Sequence, residues 1–569
     1  MLSVLQEAKQ QFIKELKQIL GKEVSVSIED LEAPPDPKLG DLAFPCFSLA
    51  KALKRSPNEI AIEIATNIAP QGFIKKAKAD GPYVNILFND EVFGRSLLES
   101  IHEQGDAYGS SDIGKGNSVM VEYAQPNTHK EIHVGHLRNF LAGQLLVNVL
   151  RANHYEVIPT AYIGDMGMHV AKCLWGIKTF FAEEEPEKDE RVAFLGKVYV
   201  KAATAAEENE EVKKEMADLF RELDELKGPY VSLWKKTRGW SLDVIKAIYK
   251  ELGLTIDVWY FESDFIDEAR KIIADLQKKG IVVKSEGALI VDLEQEHLGV
   301  NLLVKTDGAL LYNAKDIALA LRKEEDFHPM RSINVIDARQ TLAQKQLVAT
   351  LRKMGFEKPL EHLSYEFVTT KEGTMASRKG NVILYEDLRD QMIALAKEET
   401  MKRHEEWGEK KVEKIARAIA FSAMRFGMLK QDLDKKIIFD LEEALSFEGF
   451  TGPYLLYTFA RIQSILRKAK KTTPLRTTIH VQAPVEHQLL VAMAHYPEIL
   501  YLVGQSMNLA SLTQYLFGLC QVFSEYYHEI PVLTEEGEVL QERLAMVEAV
   551  SQVLKNGFVL LGMEPIEEM

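Results

Sequence analysis

Cysteine is scarce: only Cys46, Cys173 and Cys520 occur, far apart and without a Cys-x-x-Cys pair. That spacing speaks against a thiolate zinc cluster and against a disulfide framework, and it fits inert thiols in a reducing cytoplasm. No unbroken apolar run approaches the roughly 20 residues that cross a bilayer. The first residues, Met1-Leu2-Ser3-Val4-Leu5-Gln6-Glu7, lack the basic-then-apolar layout of a secretory signal. A Gly-x-x-x-x-Gly-Lys-Ser/Thr loop is missing, as is a Gly-x-Gly-x-x-Gly turn after a strand. P-loop and dinucleotide binding are therefore unsupported. Basic residues are the minority, 69 against 85 acidic ones, for a net charge of −16. A nucleic-acid binder is usually basic, but binding depends on local charge beside the phosphates, so composition leaves RNA open.

What is present is enough chain for three or four domains: 569 residues, 46% hydrophobic and 27% charged, as in soluble globular proteins. Val4, Leu5, Ala8, Phe12, Ile13, Leu16 and Leu20 recur at helical spacing. Pro34, Pro35 and Pro37 mark a loop, and a second helix is expected from about Phe47 to Leu53. After the Asp80-Gly81-Pro82 turn, Tyr83 to Phe88 reads as a strand. Together these predict a small α+β domain ending near Gly109-Ser110-Ser111.

The pattern then changes. Ser118 to Tyr123 is a short apolar strand, and Leu137, Leu141, Leu145 and Val149 give one buried helix face. Val157 to Ile163 is a second strand, completing the βαβ unit of a parallel sheet. Ile333–Asp337 and Tyr365–Val368 are further candidate strands. Residues 181–226, rich in Glu and Lys, read as helices with a solvated face. Beyond Lys411 the chain reads as almost wholly helical.

The loop after the first strand runs Glu122-Tyr123-Ala124-Gln125-Pro126-Asn127-Thr128-His129-Lys130-Glu131-Ile132-His133-Val134-Gly135-His136. It falls where a helix N-terminus emerges beyond a parallel strand, the place where such sheets bind ligands and where free N–H groups meet phosphate. Imidazoles there can donate to charge developing on phosphorus, and Gly135 leaves room for a flat base. A His-x-x-His pair can also ligate metal, but no acidic or cysteine partner stands at zincin-like spacing. Capping or surface histidines are the plainer alternative for an isolated match.

This match is not isolated. His133-Val134-Gly135-His136 resembles the "HIGH" signature of class I aminoacyl-tRNA synthetases, and Glu122-Tyr123-x-x-Pro126-Asn127 resembles the segment particular to the arginine enzymes. The second signature of the class, "KMSKS", corresponds to Thr374-Met375-Ala376-Ser377-Arg378, continuing as Lys379-Gly380-Asn381. Thr374 and Ser377 stand where lysines are usual. The resemblance implies that Lys130 supplies the missing cation, with Arg378 and Lys379 beside it. ATP binding is accordingly expected at His133, Gly135, His136, Met375, Ser377, Arg378 and Lys379, and catalysis at Lys130, His133 and His136.

Carboxylates recognise arginine best, because its planar fork donates two parallel hydrogen bonds to one of them. Lys305 to Ile317 resembles the arginine enzymes' turn and helix, which places Tyr312 and Asp316 four apart on one face. By resemblance Glu122, Tyr312 and Asp316 hold the guanidinium, and Asn127 and Gln340 hold the α-amino group. Gln125 replaces a more usual serine. Gly164-Asp165-Met166-Gly167 matches a family loop with Met166 in place of tryptophan, and Ala343 stands where histidine is frequent.

Ser446 to Arg461 resembles the opening of a helical anticodon-binding domain. Tyr454, Tyr457 and Arg461 could form a stacking and phosphate surface for loop bases, although an aromatic stripe is more commonly core. Tyr457 is the expected RNA contact of the two tyrosines. The terminal Met569 approaches the anticodon in this family, and Tyr83 and Asn85 match D-loop contacts.

The resemblance thus implies an α/β protein with a Rossmann-like parallel-sheet catalytic domain, flanked by a small α+β domain and an all-α bundle. The expected bounds are 1–110 for the N-terminal tRNA-contacting domain and 111–390 for the catalytic domain, with a helical insertion near 180–300. Stem helices follow at 391–430 and the anticodon-binding domain at 431–569. The implied substrates are L-arginine, ATP with Mg2+, and arginine tRNA bound before activation. The enzyme is expected as a cytoplasmic monomer with no resident metal and no membrane. A cysteine-type synthetase would need zinc-binding cysteines that are missing. A catalytically silent RNA-binding paralogue is opposed by Glu122, His133, His136 and Asp316, while the altered second loop keeps it open.

Overall fold

The computed structural model describes residues 3–21, 25–370, 383–469 and 479–569. Helix α1 (Val4–Leu20) begins where Ser3 and Gln6 cap each other's backbone amides, and it buries Val4, Leu5, Ala8, Phe12, Ile13 and Leu16. Strand β1 (Leu42–Pro45), helices α2 (Phe47–Leu53) and α3 (Pro57–Asn67), strands β2 (Ile74–Asp80) and β3 (Tyr83–Phe88), and helix α4 (Asp90–Gln104) complete the N-terminal domain. Its three strands form an antiparallel sheet in the order β1-β3-β2.

The next unit opens with β4 (Ser118–Glu122), α5 (Val134–Ala152), β5 (Glu156–Ile163) and α6 (Met168–Phe180). Helices α7 (Arg191–Glu208), α8 (Glu210–Asp224) and α9 (Val231–Glu251) follow, and β6 (Val258–Phe261) returns to the same sheet as β5. Then come α10 (Ile266–Lys278), the antiparallel strands β7 (Val283–Ser285), β8 (Ala288–Asp292) and β9 (Val300–Val304), and α11 (Tyr312–Phe327). Strand β10 (Arg331–Asp337), α12 (Thr341–Lys353) and β11 (Leu360–Tyr365) finish the sheet. Its order is β11-β10-β4-β5-β6, all parallel. The chain winds outward from β4 on one side and from β10 on the other, which opens a crevice beyond the carboxyl ends of β4 and β10.

Two expectations need correction here. The insertion near 180–300 is not helical throughout, because Val258–Phe261 completes the main sheet and a three-stranded sheet covers 283–304. The candidate strand at 365–368 falls instead on a break between β11 and β12 (Val368–Thr370), and the latter pairs with a C-terminal strand.

That strand is β13 (Ile437–Phe439), an exception to the helical run formed by α13 (Tyr385–Arg403), α14 (Glu409–Leu429), α15 (Leu441–Leu445), α16 (Gly452–Lys468), α17 (Pro484–Ala494), α18 (Tyr496–Ser506), α19 (Ala510–Glu529) and α20 (Gly537–Leu561). Helix α20 is long and apolar enough to cross a membrane by length and composition alone, and here it packs against α4, α5, α16, α17 and α19.

Helix α5 is buried on nearly every side, which explains its near-continuous apolar sequence. The fully buried Arg138 on this helix donates to the carbonyls of Glu366, Asp432 (3.0 Å) and Lys435 (2.7 Å). Further along α5, Asn148 donates to Leu560 O at 2.8 Å. The N-terminal domain rests on the bundle through His487, whose ring nitrogens meet Asp41 at 2.7 Å and Asp90 at 2.5 Å.

Candidate active site

The imidazole turn is built by its own backbone. His133 caps α5 from an extended conformation, and its Nδ1 accepts from Gly135 N at 3.1 Å. His136 Nδ1 accepts from His133 N at 3.1 Å, and the two rings lie 3.8 Å apart. Burial, followed by the nearby charges of Lys130 and Arg339, pushes His133 down to about 4. His136 is pushed well down by burial, then by His133 and Lys130. Both rings are therefore neutral near pH 7. With Nδ1 accepting in each, the ring proton sits on Nε2, so each ring offers one N–H donor. Gly135 is fixed by crowding, since a Cβ there would meet the His133 ring at 2.9 Å. Lys130 is exposed beside these rings.

Beyond β4 and β10 lies a cavity of about 360 Å3. Glu122, Asn127, Tyr312, Asp316 and Gln340, the five residues proposed for an amino acid, all line it. Glu122 ends β4 and is only 2% exposed, whereas Tyr312 opens α11 at the mouth with 52% exposed. Asn127 bridges to Gly164, where a Cβ would lie 2.2 Å from Asn127 Oδ1, so the bare glycine seats that amide. Gln125 also lines the cavity and donates to Glu122 Oε1 at 2.6 Å.

Sequence reasoning missed two charged members of this cavity, Glu262 and Lys323, and the lysine that pairs with the first of them. Glu262 follows β6 directly and pairs with Lys315 Nζ at 2.6 Å, and Lys323 pairs with Glu122. Helical spacing could have raised Lys323, which stands two turns after Asp316 on the same helix. Asp316 itself makes no ion pair among the described residues, and its acid is pushed up to about 8 by burial, then by Glu122 and Glu262. Three carboxylates thus face two ammonium groups, a surplus of one negative charge when all are ionised. Such a set suits one monocation carrying several N–H donors.

Asp165 does not line this cavity. It is buried, accepts from Ser263 N at 2.9 Å and Ser263 Oγ at 2.7 Å, and pairs with Arg238 at 2.9 Å. That network fixes the loop following β5 against α9. Met375, Ser377, Arg378 and Lys379 lie outside the described residues, but the chain continues at Ile383, whose carbonyl accepts from Val134 N at 3.1 Å, beside the imidazole turn.

A second hollow, about 410 Å3, is lined by Tyr457, Arg461 and Met569 together with His404, Trp407 and Arg467. Arg461 donates to the Tyr457 hydroxyl at 2.6 Å and lies over its ring. Tyr454 faces elsewhere, with its ring 5.3 Å from Phe517 and its hydroxyl 3.2 Å from Ser524 Oγ. In the N-terminal domain Tyr83 is half-buried against Phe47. Asn85 is 3% exposed: it shares a face of the central strand β3 with Tyr83 and Leu87, opposite Val84, Ile86 and Phe88, and Gly40 packs close over it. A further hollow, about 680 Å3, opens on the N-terminal domain beside Lys14 and Lys17 and contains none of the expected site residues.

Comparison with known proteins gives a consistent answer for all three parts of the chain. Residues 98–441 match the family described as tRNA synthetases class I (R), catalytic domain. Residues 455–569 match the DALR anticodon binding domain, and 6–88 match the arginyl tRNA synthetase N terminal domain. The arginine–tRNA ligase of Bdellovibrio bacteriovorus is 38% identical, covering 97% of this chain and 98% of that protein. The arginine–tRNA ligase of Clostridium perfringens is 34% identical over 95% and 96%. Among solved structures, the Thermus thermophilus arginyl-tRNA synthetase superposes with a TM-score of 0.83 at 26% identity, covering 100% of both chains.

Proposed function

The chain belongs to the arginyl-tRNA synthetases, a class I family, and we propose that its cavity takes arginine, its imidazole turn ATP and its C-terminal hollow the anticodon. As an arginine–tRNA ligase it uses ATP and joins arginine to tRNA. The observation that carries the division of labour is the convergence of Glu122, Asn127, Tyr312, Asp316 and Gln340 on one cavity beyond the strand ends.

Within that reading, Asp316 and Glu122 receive the guanidinium, Tyr312 covers it at the mouth, and Asn127 and Gln340 take the α-amino group. The arginine carboxylate oxygen attacks the α-phosphorus of ATP. The bond to the bridging oxygen breaks, pyrophosphate leaves with that electron pair, and arginyl-adenylate remains. A hydroxyl of the terminal tRNA ribose, the 2′ one by analogy with the class, then attacks the carbonyl carbon, loses its proton and expels AMP. The protein positions the reactants and stabilises phosphate charge, so no covalent protein intermediate is required.

The Nε2–H groups of His133 and His136 donate to the phosphates without adding charge, and Lys130 supplies the cation. Met375, Ser377, Arg378 and Lys379 complete the nucleotide site. Mg2+ prefers oxygen ligands, whereas the turn offers imidazoles, so the ion suits the nucleotide's own phosphates, where it would offset their charge. Tyr457, Arg461 and Met569 meet the anticodon and Tyr83 the D-loop, with Asn85 next to Tyr83 on the same face of β3 and Tyr454 packed against Phe517. The working unit in this reading is a monomer acting in the cytoplasm.

ATP–pyrophosphate exchange with each amino acid, with and without tRNA, tests the reading. Exchange should appear with arginine and only once tRNA is bound. Exchange driven by a different amino acid would overturn it.

A further inference from the structure

Helix α11 carries two lysines that its mouth position does not explain. Lys315 and Lys323 keep 3% of their side chains exposed, yet both face the cavity acids. Burying an ammonium group is costly, and a buried ion pair seldom stabilises a fold more than apolar packing would. Their geometry is specific. Lys323 pairs with Glu122 and donates to Asn334 Oδ1 at 3.2 Å, and Asn334 in turn donates to Gln344 Oε1 at 3.2 Å. With Gln125 on Oε1 and Lys323 on Oε2, both oxygens of Glu122 are engaged. Lys315 holds Glu262 at 2.6 Å on the other side.

We propose that Lys315 and Lys323 are positioning residues for arginine selection: each pins one cavity carboxylate and leaves Asp316 as the acid open to the entering guanidinium. The inference rests on the cavity being the arginine site. Without the two lysines, three carboxylates would crowd one space and would draw in any small cation. With them, the surplus once Asp316 is ionised is one negative charge at one place, and a guanidinium satisfies it by bridging Asp316 to the fixed edge of Glu122. The ammonium of lysine as a substrate is a point charge and cannot bridge the two.

The test is tRNA-supported pyrophosphate exchange with arginine and with lysine, on the wild type and on K315M, K323M and D316N. In both methionine variants KM for arginine should rise about tenfold or more, with a much smaller change in kcat and none in KM for ATP. The preference for arginine over lysine should fall with it. An unchanged preference, or a loss of kcat with arginine KM preserved, would overturn the proposal. Failure of the underlying reading looks different, because arginine KM would then stay unchanged in D316N. Thermal unfolding shows whether each variant folds. Should K315M or K323M not fold, K315R and K323R keep the charge but move it, and the same shift in preference supports the proposal while its absence overturns it.

Discussion

The amide of Val134 donates to the carbonyl of Ile383 at 3.1 Å, and Tyr385 N donates to Ile132 O at 2.9 Å. Segments far apart in sequence are thereby stitched together at the first turn of α5. Ile383 and Tyr385 lie against the turn that bears His133 and His136.

Lys130→Ala removes the cation that the turn itself cannot supply, since both imidazoles are neutral. Adenylate formation should fall about 100-fold with little change in arginine KM. Pyrophosphate exchange measures it, and an unaltered rate would refute the assignment of Lys130.

The acid of Asp316, at about 8, holds its proton at neutral pH in the empty cavity, chiefly through burial. Guanidinium binding needs the ionised form. As pH falls below about 8, kcat/KM for arginine should decline by up to about tenfold per unit, and above that value it should level off. Asp316→Asn should raise arginine KM sharply and abolish the slope. A flat wild-type profile across this range would exclude Asp316 as the titrating contact.

Gly164→Ala would place a methyl carbon 2.2 Å from Asn127 Oδ1. The amide must swing away, and arginine KM should rise about tenfold if Asn127 holds the α-amino group. The Michaelis constant for ATP serves as the control. Equal effects on both substrates would point to a displaced loop instead.

His487 is raised to about 9; its burial alone would lower it, and the hydrogen bonds and charges of Asp41 and Asp90 outweigh that. A raised imidazole adds stability that is complete below its unfolded value of 6.5 and is lost as pH rises through about 9. The wild-type melting temperature should therefore fall between those values more steeply than that of His487→Gln. The difference corresponds to on the order of 2–3 kcal/mol at the acid end, measurable by circular dichroism. Parallel curves would show that the two aspartates do not hold the protonated ring.

Apolar positions at helical spacing made α1 and α5 legible, and short apolar runs marked α2 and the strands at 83–88 and 156–163. The turn bearing His133 and His136 at the start of α5 was legible too, being written in consecutive residues. Strand β6 was not: four residues, Val258–Phe261, carry no alternation, and only their pairing with β5 makes them a strand. Glu262, Lys315 and Lys323 escaped for a related reason. A charged side chain on an exposed helix and one inside a cavity look alike in sequence, and the partner that distinguishes them arrives from another strand. Tyr457 was already the favoured tyrosine of its pair, but only packing shows Tyr454 turned toward Phe517 and Tyr457 at the hollow with Arg461.

Helix α5 runs 19 residues, about 28 Å at its rise per residue, with the imidazoles at one end and Asn148 tied to Leu560 near the other. Arg138, in its second turn, braces it against three carbonyls. A close-packed rod so anchored does not bend to absorb a displacement. Movement of α20, the helix that leads to Met569, must therefore either break the Asn148 bond or travel down α5 as a piston stroke to the imidazole turn.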